Sequence, residues 1–563
     1  MKFQLVRRKV LPVFVIASLF IGTIFGTSLA WGKDSGAQAQ AYDELYDRQG
    51  RLRPQYKELA PYLESVTQSD RNAFRDYSNR RFSLDNAIDD IPKILQEEEY
   101  TQITEGVQQR ARALLALARD IHSGGTRYQS LIPQKVMAKI LGRNLDSPHL
   151  GFLQDLDNLT FFYGPDLIRN SNGDFVVLED NTGFVGGFGD VQMSYDLILE
   201  RHPEINPDDI GSAPREFFAD VVAFAKAQAK RRGGKAIAFF ATPYGVKEPV
   251  RLKPILESLG IEYVTPRSST QLKIDSAGVF TQSKAGGKKE KVGYILTFNE
   301  LAQNDLFHPA NLDRFYLLQA QEILAGRLKV GSIQDRRSLK EILNHTHPQT
   351  GLPDMERMRD LLDQIVDFQS TKRPLYTSGL TAAILDGRVG SSSVPGLDFL
   401  SDKELYTYIP GLISLYLNEK PILKNLRTLQ FAARNGALKE ELMNRVLADK
   451  NSWVLKPVDG RCGDGIWVGP NVTQRQFESS QSVIQNNPSS YLAQEFVQPS
   501  TMCGRISDVR PLAFVSEKKI IVGPLWGRNT DARLTKGKMN VASGGALTAV
   551  LVRKKRCEDT LDR

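Results

Sequence analysis

Apolar residues recur at helical spacing between Glu97 and Ile121. The positions that carry this pattern are Ile103, Val107, Ala111, Leu114, Leu117, Ala118 and Ile121. A repeat of three or four residues places these side chains along one face of a helix, which then packs on a hydrophobic core. The pattern therefore predicts a long amphipathic helix, within a region, residues 42–130, that is predicted to be largely helical.

A different pattern follows in the middle of the chain. Residues Lys235–Ala241 form a short apolar run, Val250–Leu259 have helical spacing, and Ile261–Val264 form a second apolar run. This strand, helix and strand predict a small unit with a parallel sheet. Residues 310–375 are rich in charged helix formers and predict a helical insertion. The predicted fold class is therefore α+β with an α/β subdomain.

Residues 452–468 combine one lysine with several glycines. Lys456 lies at the end of an apolar strand, and Gly460, Gly463 and Gly465 follow it before the chain becomes apolar again. A lysine fixed on a strand offers a point charge to a phosphate group, and glycines allow backbone N–H groups to approach phosphate oxygens. The segment predicts either a phosphate-binding loop or an ordinary hairpin with a solvated lysine.

Polar residues also mark the strands that follow. The apolar run 491–497 contains Gln494 and Glu495 at the end of a short strand, where a hinge can meet an adenine ring. Asp508 and Arg510 are two residues apart, so they share one face of a strand. Three further candidates follow in the sequence: Arg528, Arg533 and Asn540.

Residues 164–183 predict a second hairpin, earlier in the chain. Two strands flank a turn at Asn172-Gly173, so Asp166 and Glu179 can face each other, with Asn181 two residues beyond Glu179. Two carboxylates and an amide oxygen are hard ligands suited to Mg²⁺. The alternative is an ordinary charged hairpin.

The type and order of these residues resemble the ATP-grasp ligases, with one difference. The magnesium-binding end precedes the lysine-bearing end, so the chain resembles the circularly permuted ATP-grasp type 2 family, over residues 42–300 and 377–552. The segment Asp402–Tyr406 belongs to the same resemblance, whereas Thr297-Phe298 and residues 184–186 depart from the family pattern.

The resemblance implies a role for each candidate residue. The implied nucleotide-binding residues are Lys456, Gly460, Gly463, Gly465, Gln494, Glu495, Asp508 and Asn540. The implied catalytic residues are Arg510, Arg528 and Arg533, and the implied metal ligands are Asp166, Glu179 and Asn181. The expected cofactors are ATP and Mg²⁺.

The implied activity is an ATP- and Mg²⁺-dependent carboxylate–amine ligase that works through an acyl phosphate. Its substrates would be small molecules or peptides with a carboxylate and an amine. Two alternatives stay open. One is an exported, non-catalytic relic that binds a cell-envelope peptide or glycan, and the other is a structural scaffold.

Composition excludes several other classes of protein. The chain has 563 residues, of which 25% are charged, and a formal net charge of +8. This charge is mild for the length, and no dense basic run indicates a nucleic-acid surface. Three cysteines and six histidines show no disulfide framework and no zinc-ligand spacing.

The N-terminus predicts export or membrane attachment. Lys2, Arg7, Arg8 and Lys9 precede the apolar run Val10–Ala30. Basic residues stay in the cytoplasm, so the run is either a cleaved signal peptide or an anchor, and a buried core helix is the third possibility. Either of the first two places the body outside the cytoplasm, in the periplasm or anchored to the inner membrane, which conflicts with the use of ATP.

The predicted organisation follows from these segments. It comprises a signal peptide or anchor (1–31), a linker (32–41), a helical region with the metal hairpin (42–200), a small parallel α/β domain (201–309), a helical insertion (310–375), the nucleotide-binding region (376–552) and a tail (553–563).

Overall fold

The computed structural model describes residues 40–555, with gaps at 83–86, 145–146, 184, 241–246, 266–267, 434–435, 459–462, 464 and 540–543, and only in part between 298 and 378. The described residues from Gln40 onward belong to one compact unit. The predicted domain boundaries within this unit stay predictions. The N-terminal run Val10–Ala30 lies outside the described residues, and so does the end of the tail.

The described helices are α1 (Ala60–Ser65), α2 (Gln68–Phe82), α3 (Glu97–His122), α4 (Gln134–Arg143), α5 (Phe188–Arg201), α6 (Pro214–Arg231), α7 (Lys247–Ser258), α8 (Ile333–Asn344), α9 (Leu380–Leu385), α10 (Lys403–Tyr406), α11 (Ile409–Leu417), α12 (Glu440–Ala448), α13 (Gln474–Asn486) and α14 (Ala532–Thr535). Within this part of the chain, no helix is both long enough and apolar enough to cross a membrane.

The described strands are β1 (Lys93–Gln96), β2 (Thr160–Tyr163), β3 (Asp166–Arg169), β4 (Phe175–Glu179), β5 (Ile210–Gly211), β6 (Lys235–Phe239), β7 (Glu262–Val264), β8 (Thr270–Asp275), β9 (Gly278–Ser283), β10 (Glu290–Leu296), β11 (Gly390–Ser391), β12 (Lys424–Asn425), β13 (Thr428–Gln430), β14 (Trp453–Pro457), β15 (Trp467–Val468), β16 (Tyr491–Glu495), β17 (Thr501–Met502), β18 (Arg505–Ser516), β19 (Ile520–Thr530) and β20 (Ala546–Arg553).

A ten-stranded sheet joins the two distant halves of the chain. Its main path is β1-β20-β19-β18-β3-β4-β12, with β2 and β17 paired to β18 and β5 paired to β20. The early hairpin β3–β4 therefore lies directly beside the late strand β18. This pairing brings the predicted metal hairpin next to strands that the sequence places hundreds of residues later.

Helix α3 covers one face of this sheet. All the apolar positions that predicted the helix are buried except Ile121, which is half-buried. They share one hydrophobic cluster with residues of β2, β3 and β4, such as Tyr163, Leu167 and Val177. The helix begins with a capping box, in which Gln96 and Glu99 bond each other's backbone N–H groups. The helix predicted from periodicity is therefore confirmed.

The middle of the chain forms the predicted parallel unit. Strand β6, helix α7 and strand β7 follow one another, and β6 is parallel to both β7 and β10. Strands β9 and β8 extend this sheet in the antiparallel direction. Of the predicted insertion 310–375, the structure describes helix α8 and a few further residues, and Leu339 and Ile342 of α8 are buried.

A four-stranded sheet, in the order β13-β16-β14-β15, carries three of the predicted nucleotide-binding residues, Lys456, Gln494 and Glu495. Strands β14 and β15 are antiparallel, with Leu455 opposite Trp467, as expected for a hairpin around the glycine-rich segment. Lys456 lies on β14, and Gln494 lies on the neighbouring strand β16. This small sheet has its own core cluster, which includes Trp453 and Phe477.

The end of helix α3 contains a histidine that folding keeps neutral. His122 is buried, and its Nδ1 accepts a hydrogen bond from the N–H group of Gly151 at 3.2 Å. Burial lowers the pKa of His122 to about 4 from an ordinary value of 6.5. The unfolded chain therefore takes up a proton at this position at a higher pH than the folded protein does.

We expect this difference to appear as acid sensitivity. Because the folded-state pKa is the lower one, the stabilisation is complete above pH 6.5 and is lost as the pH falls towards 4. Between pH 7 and pH 4.5, the free energy of unfolding should fall by about 2 kcal/mol more in the wild type than in His122→Asn. Chemical denaturation at several pH values measures this, with the exposed His345→Asn as control. Equal pH dependence in wild type and His122→Asn would contradict the assignment.

Candidate active site

The hairpin β3–β4 has one extra residue beside the candidate metal ligands. Asp166 pairs with Glu179, but the next residue, Leu167, pairs with Val177. Leu178 is therefore the additional residue of a β-bulge in β4. A bulge reverses the inward and outward alternation of side chains beyond it.

This reversal decides where the carboxylate of Glu179 lies. Val177 packs in the cluster with helix α3, whereas Glu179 lies on the opposite face of the sheet, paired with Asp166. Without the bulge, Glu179 and Val177 would share a face, because they are two residues apart. The next residue, Asp180, returns to the α3 side, where it contacts Arg110.

The carbonyl oxygen of Leu178 is one point at which the small sheet contacts the large one. Lys456 Nζ lies 3.5 Å from this oxygen, and Gln494 Nε2 lies 3.2 Å from it. Gln494 also donates to Thr428 Oγ1 at 3.1 Å. The predicted lysine and the predicted Gln494 therefore meet at the residue next to Glu179.

A second lysine completes this group, and sequence reasoning gave it no role. Lys403, the first residue of α10, places its Nζ 3.3 Å from Glu179 Oε2. Its backbone N–H donates to Val458 O at 3.0 Å, at the start of the glycine-rich segment. The signal was present in the segment Asp402–Tyr406, which contributed to the family resemblance, but only the tertiary contact shows what this lysine approaches.

Burial changes the proton affinity of the first lysine. It lowers the pKa of Lys456, and the nearby Lys403 acts in the same direction, while Glu179 opposes them. Two ammonium groups therefore lie close to one carboxylate. An additional anion, such as a phosphate group, would offset the excess positive charge.

Two arginines and two aspartates form the neighbouring cluster. Arg510 binds Asp166 in bidentate fashion, with Nε–Oδ1 at 2.6 Å and Nη2–Oδ2 at 3.0 Å. Arg528 binds Asp508 in the same way, at 3.0 and 2.6 Å, and its Nη2 also lies 3.0 Å from Asp166 Oδ1. Asp508 is directly opposite Arg528 across strands β18 and β19, so all four side chains share one face of the sheet.

The two aspartates differ in proton affinity. Burial by itself would raise the pKa of Asp166, but Arg510 and Arg528 hold this pKa well below its ordinary value. Burial raises the pKa of Asp508 to about 6, although Arg528 opposes that shift. Asp166 is thus the more firmly ionised of the pair.

Trp526 supports both arginines, and sequence reasoning did not single it out. The guanidinium carbon of Arg510 lies 5.2 Å from its ring centroid, and that of Arg528 lies 4.9 Å from it. Such cation–π contacts hold the guanidinium planes in place. Trp526 lies directly opposite Arg510 in the strand register.

The remaining predicted residues have varied surroundings. Asn181 lies beside Gly164 and donates from Nδ2 to its carbonyl at 3.0 Å. The carboxylate of Glu495 accepts the N–H group of Arg427 at 3.0 Å, so it fixes the backbone next to the small sheet. Gly463 and Gly465 have positive φ angles of 75° and 67°, which favour glycine.

Arg533 does not share the contacts of the other predicted arginines, Arg510 and Arg528. Its side chain is 82% exposed and pairs with Asp531 at 2.8 Å, at the start of the short helix α14. Its catalytic assignment stays a prediction. Gly460 and Asn540 were also predicted for the site, but they lie outside the described residues.

The donor chemistry around Glu179 fits a magnesium ion. Glu179 is partly exposed and offers carboxylate oxygens beside Asn181, and Mg²⁺ typically combines one or two carboxylates with water and substrate phosphates. Among the described residues there is no group of three or more His, Cys, Asp or Glu side chains able to hold a metal by themselves. Both oxygens of Asp166 accept from arginines, so its assignment as a ligand stays a prediction.

Lys456 and Lys403 lie where the four-stranded sheet meets the ten-stranded sheet, and sequence comparison assigns this fold to a family. Residues 92–243 and 356–525 match the family described as circularly permuted ATP-grasp type 2. This match covers more than half of the chain, which therefore belongs to that family. The hairpin with Glu179 lies in the first matched segment and Lys456 in the second.

Similar proteins occur in several bacteria. An uncharacterized protein of Mycobacterium bovis is 25% identical over 539 residues, which cover 91% of this chain and 84% of the relative. A provisionally named glutamate–cysteine ligase of Frankia casuarinae is 24% identical over 483 residues, which cover 82% of this chain and 47% of that protein. Among solved structures, a glutathione synthetase-like effector of Globodera pallida aligns with a TM-score of 0.43 and 9% identity, covering 82% of this chain and 89% of that one.

We expect the ion pairs around Arg528 to be strongly coupled. Arg528→Met leaves Asp508 buried without its bidentate partner, so the free energy of unfolding should fall by about 3 kcal/mol. Adding Asp508→Asn removes the unpaired charge and should restore a substantial part of this loss. Denaturant unfolding of both single variants and the double variant measures the coupling energy. Additive losses would show that the two side chains do not depend on each other.

Proposed function

We propose that this protein is an ATP- and Mg²⁺-dependent ligase that joins a carboxylate to an amine through an acyl phosphate. The observation that carries the proposal is the meeting of Lys456, Lys403 and Glu179 at the bulge, beside the arginines that bind Asp166. Membership of the ATP-grasp family supports it.

Each part of the site has a role in this proposal. Lys456, Lys403 and the glycine-rich segment bind the phosphates of ATP, and the strand edge at Gln494 and Glu495 receives the adenine ring. Glu179 and Asn181 hold the metal. Bound Mg²⁺ neutralises charge on the terminal phosphates and so assists transfer of the γ-phosphoryl group.

The arginines act on the transferred group. Arg510 and Arg528 are held rigidly by Asp166, Asp508 and Trp526, so their N–H groups are fixed before substrate arrives. Fixed donors stabilise the charge that develops during phosphoryl transfer without reorganisation. No covalent protein intermediate is required, because positioning and electrostatics supply the catalysis.

The substrates in this proposal are small molecules or peptides, one with a carboxylate and one with an amine. The provisional naming of the Frankia casuarinae relative as a glutamate–cysteine ligase supports this reaction class. The departures at Thr297-Phe298 and residues 184–186 fall at positions expected to face the second substrate. We therefore propose the reaction class and leave glutamate and cysteine as test compounds.

The ion pairs of the site also predict how nucleotide and metal depend on each other. Lys403 is paired with Glu179, so a phosphate that takes Lys403 leaves this carboxylate without its cation. A metal ion at Glu179 replaces that cation. Binding of ATP and binding of Mg²⁺ should therefore strengthen each other, since each compensates the charge that the other leaves.

Replacing Glu179 tests this exchange of partners. In Glu179→Gln we expect ATP to bind at least as tightly as in wild type in the absence of metal, because no carboxylate is left without its cation, whereas the strengthening by Mg²⁺ falls by about tenfold or more. Titration calorimetry of the purified full-length protein with ATP, with and without Mg²⁺, measures both affinities.

The matched control is Glu290→Gln, which removes another glutamate paired with a lysine, Lys235, but on the α/β sheet. This control should behave as wild type. If the melting temperature of the wild type does not rise with ATP and Mg²⁺, the ligase proposal is wrong and the exported, non-catalytic binding protein becomes the better reading.

We also propose that the body of the protein lies outside the cytoplasm, because of the basic residues and the apolar run Val10–Ala30. A reporter that is active only outside the cytoplasm, fused after residue 60, should give a signal. A silent fusion, together with an active cytoplasmic reporter at the same position, would contradict export and would remove the conflict with ATP.

A further inference from the structure

A buried ion pair lies directly behind the candidate metal ligands. Arg110, on helix α3, donates to Asp180 from Nε at 3.0 Å and from Nη2 at 2.6 Å. Asp180 is the residue between Glu179 and Asn181. Arg110 is completely buried, and Asp180 is 3% exposed.

The pair belongs to a network that reaches several parts of the site. The hydroxyl group of Tyr163 donates to Asp180, and Arg110 Nη1 donates to Asn425 Oδ1 at 2.7 Å. Asn425 Nδ2 in turn donates to the carbonyl of Tyr406 at 2.8 Å. The network therefore joins helix α3 to the metal hairpin, to strand β12 and to α10.

The connection to α10 matters because that helix begins with Lys403, the partner of Glu179. Tyr406, at the end of α10, also donates its hydroxyl to the carbonyl of Val177 at 2.7 Å. Both partners of the Lys403–Glu179 ion pair are thus anchored to the same buried network. The network fixes where the two charges meet.

The bulge explains how the Arg110–Asp180 ion pair can affect the orientation of Glu179. Because Leu178 is the extra residue, Asp180 lies on the α3 side while its neighbour Glu179 lies on the opposite face of the sheet, with Asp166. Holding the side chain of Asp180 therefore fixes the direction of the adjoining backbone, on which Glu179 and Asn181 depend. Stability alone is a weak reason to bury such a pair, since apolar residues of similar volume often stabilise as well or better.

We propose that Arg110 is a positioning residue: by holding Asp180, it fixes the orientation of the proposed metal ligands Glu179 and Asn181. This inference rests on the proposed function. Arg110 itself touches neither nucleotide nor metal in this role. Partners behind metal ligands orient those ligands, and their loss typically weakens metal binding by 10–100-fold.

The same hairpin offers a matched control at its other end. Arg169 on β3 is also buried, and its Nε lies 3.2 Å from Glu44, a carboxylate that is as fully buried as Asp180. This pair lies at the turn end of the hairpin, away from Glu179. Removing the charge of Glu44 should therefore weaken the fold without altering the metal ligands.

The experiment compares Asp180→Asn with Glu44→Gln in the full-length protein. Calorimetric titration with an ATP analogue that cannot transfer its γ-phosphate, with and without Mg²⁺, gives the factor by which the metal strengthens nucleotide binding. We expect this factor to fall by about tenfold in Asp180→Asn and to stay at the wild-type value in Glu44→Gln. Metal-free nucleotide affinity should stay within about twofold of wild type in both.

A second, milder pair of variants tests the same role in case Asp180→Asn does not fold. Tyr163→Phe removes only the hydroxyl group that donates to Asp180, and its control, Tyr56→Phe, removes a buried hydroxyl group that accepts from the N–H of Ile94 at 2.9 Å. Tyr163→Phe should lower the Mg²⁺ factor by about threefold, less than the loss of the Asp180 carboxylate does. Tyr56→Phe should leave it unchanged.

The possible outcomes distinguish failure of the proposed function from failure of the positioning role of Arg110. A wild-type protein in which Mg²⁺ does not strengthen nucleotide binding overturns the proposed function and the positioning role with it. A wild-type effect that persists in Asp180→Asn and Tyr163→Phe overturns the positioning role alone. An equal reduction in Asp180→Asn and Glu44→Gln also overturns it, because the loss then follows general weakening of the hairpin.

Discussion

The extra residue Leu178 is the feature on which the arrangement of the site depends. It turns Glu179 away from the core under helix α3 and onto the face that carries Asp166. Its carbonyl oxygen accepts hydrogen bonds from Lys456 and Gln494, so it also contributes to the contact between the four-stranded sheet and the ten-stranded one. A single bulge thus affects both the direction of the Glu179 carboxylate and the contact between the two sheets.

The second constraint is charge. The site buries or half-buries several ionised groups: Asp166, Glu179, Asp508, Arg510, Arg528, Lys403 and Lys456. Ionised groups are costly to remove from water unless each has partners, and the ion pairs and hydrogen bonds of the site supply those partners. Cations exceed carboxylates in this set, which suits an anionic ligand. The same pairs hold the side chains in place. Donors that are already in place can stabilise a developing charge without reorganising.

Distance along the chain is no obstacle to this assembly. Asp166 and Arg510 form a bidentate ion pair although 344 positions separate them. Strand pairing explains how, because β3 lies directly beside β18 in the large sheet. Permutation changes the order in which the strands are made, whereas the neighbours in the sheet are determined by hydrogen bonding and by the shared core.

The sequence by itself determined the elements whose evidence is local. The period of apolar residues predicted helix α3. The turn at Asn172-Gly173 predicted the hairpin of β3 and β4, in which Asp166 is opposite Glu179. The lysine followed by glycines predicted the hairpin of β14 and β15. Each of these depends on residues within a few positions of one another, so periodicity and turn chemistry are sufficient.

Only the tertiary structure decided which groups meet. The pairing of Lys403 with Glu179 and the buried Arg110–Asp180 pair join segments that are distant in sequence, and the bulge at Leu178 is a shift of strand register that the turn residues do not reveal. Local patterns contain no information on such contacts, and a one-residue shift in a strand reverses every side chain beyond it. For the same reason, the sequence could group Arg533 with Arg510 and Arg528, although the fold leaves Arg533 exposed beside Asp531 and buries the other two around Asp166.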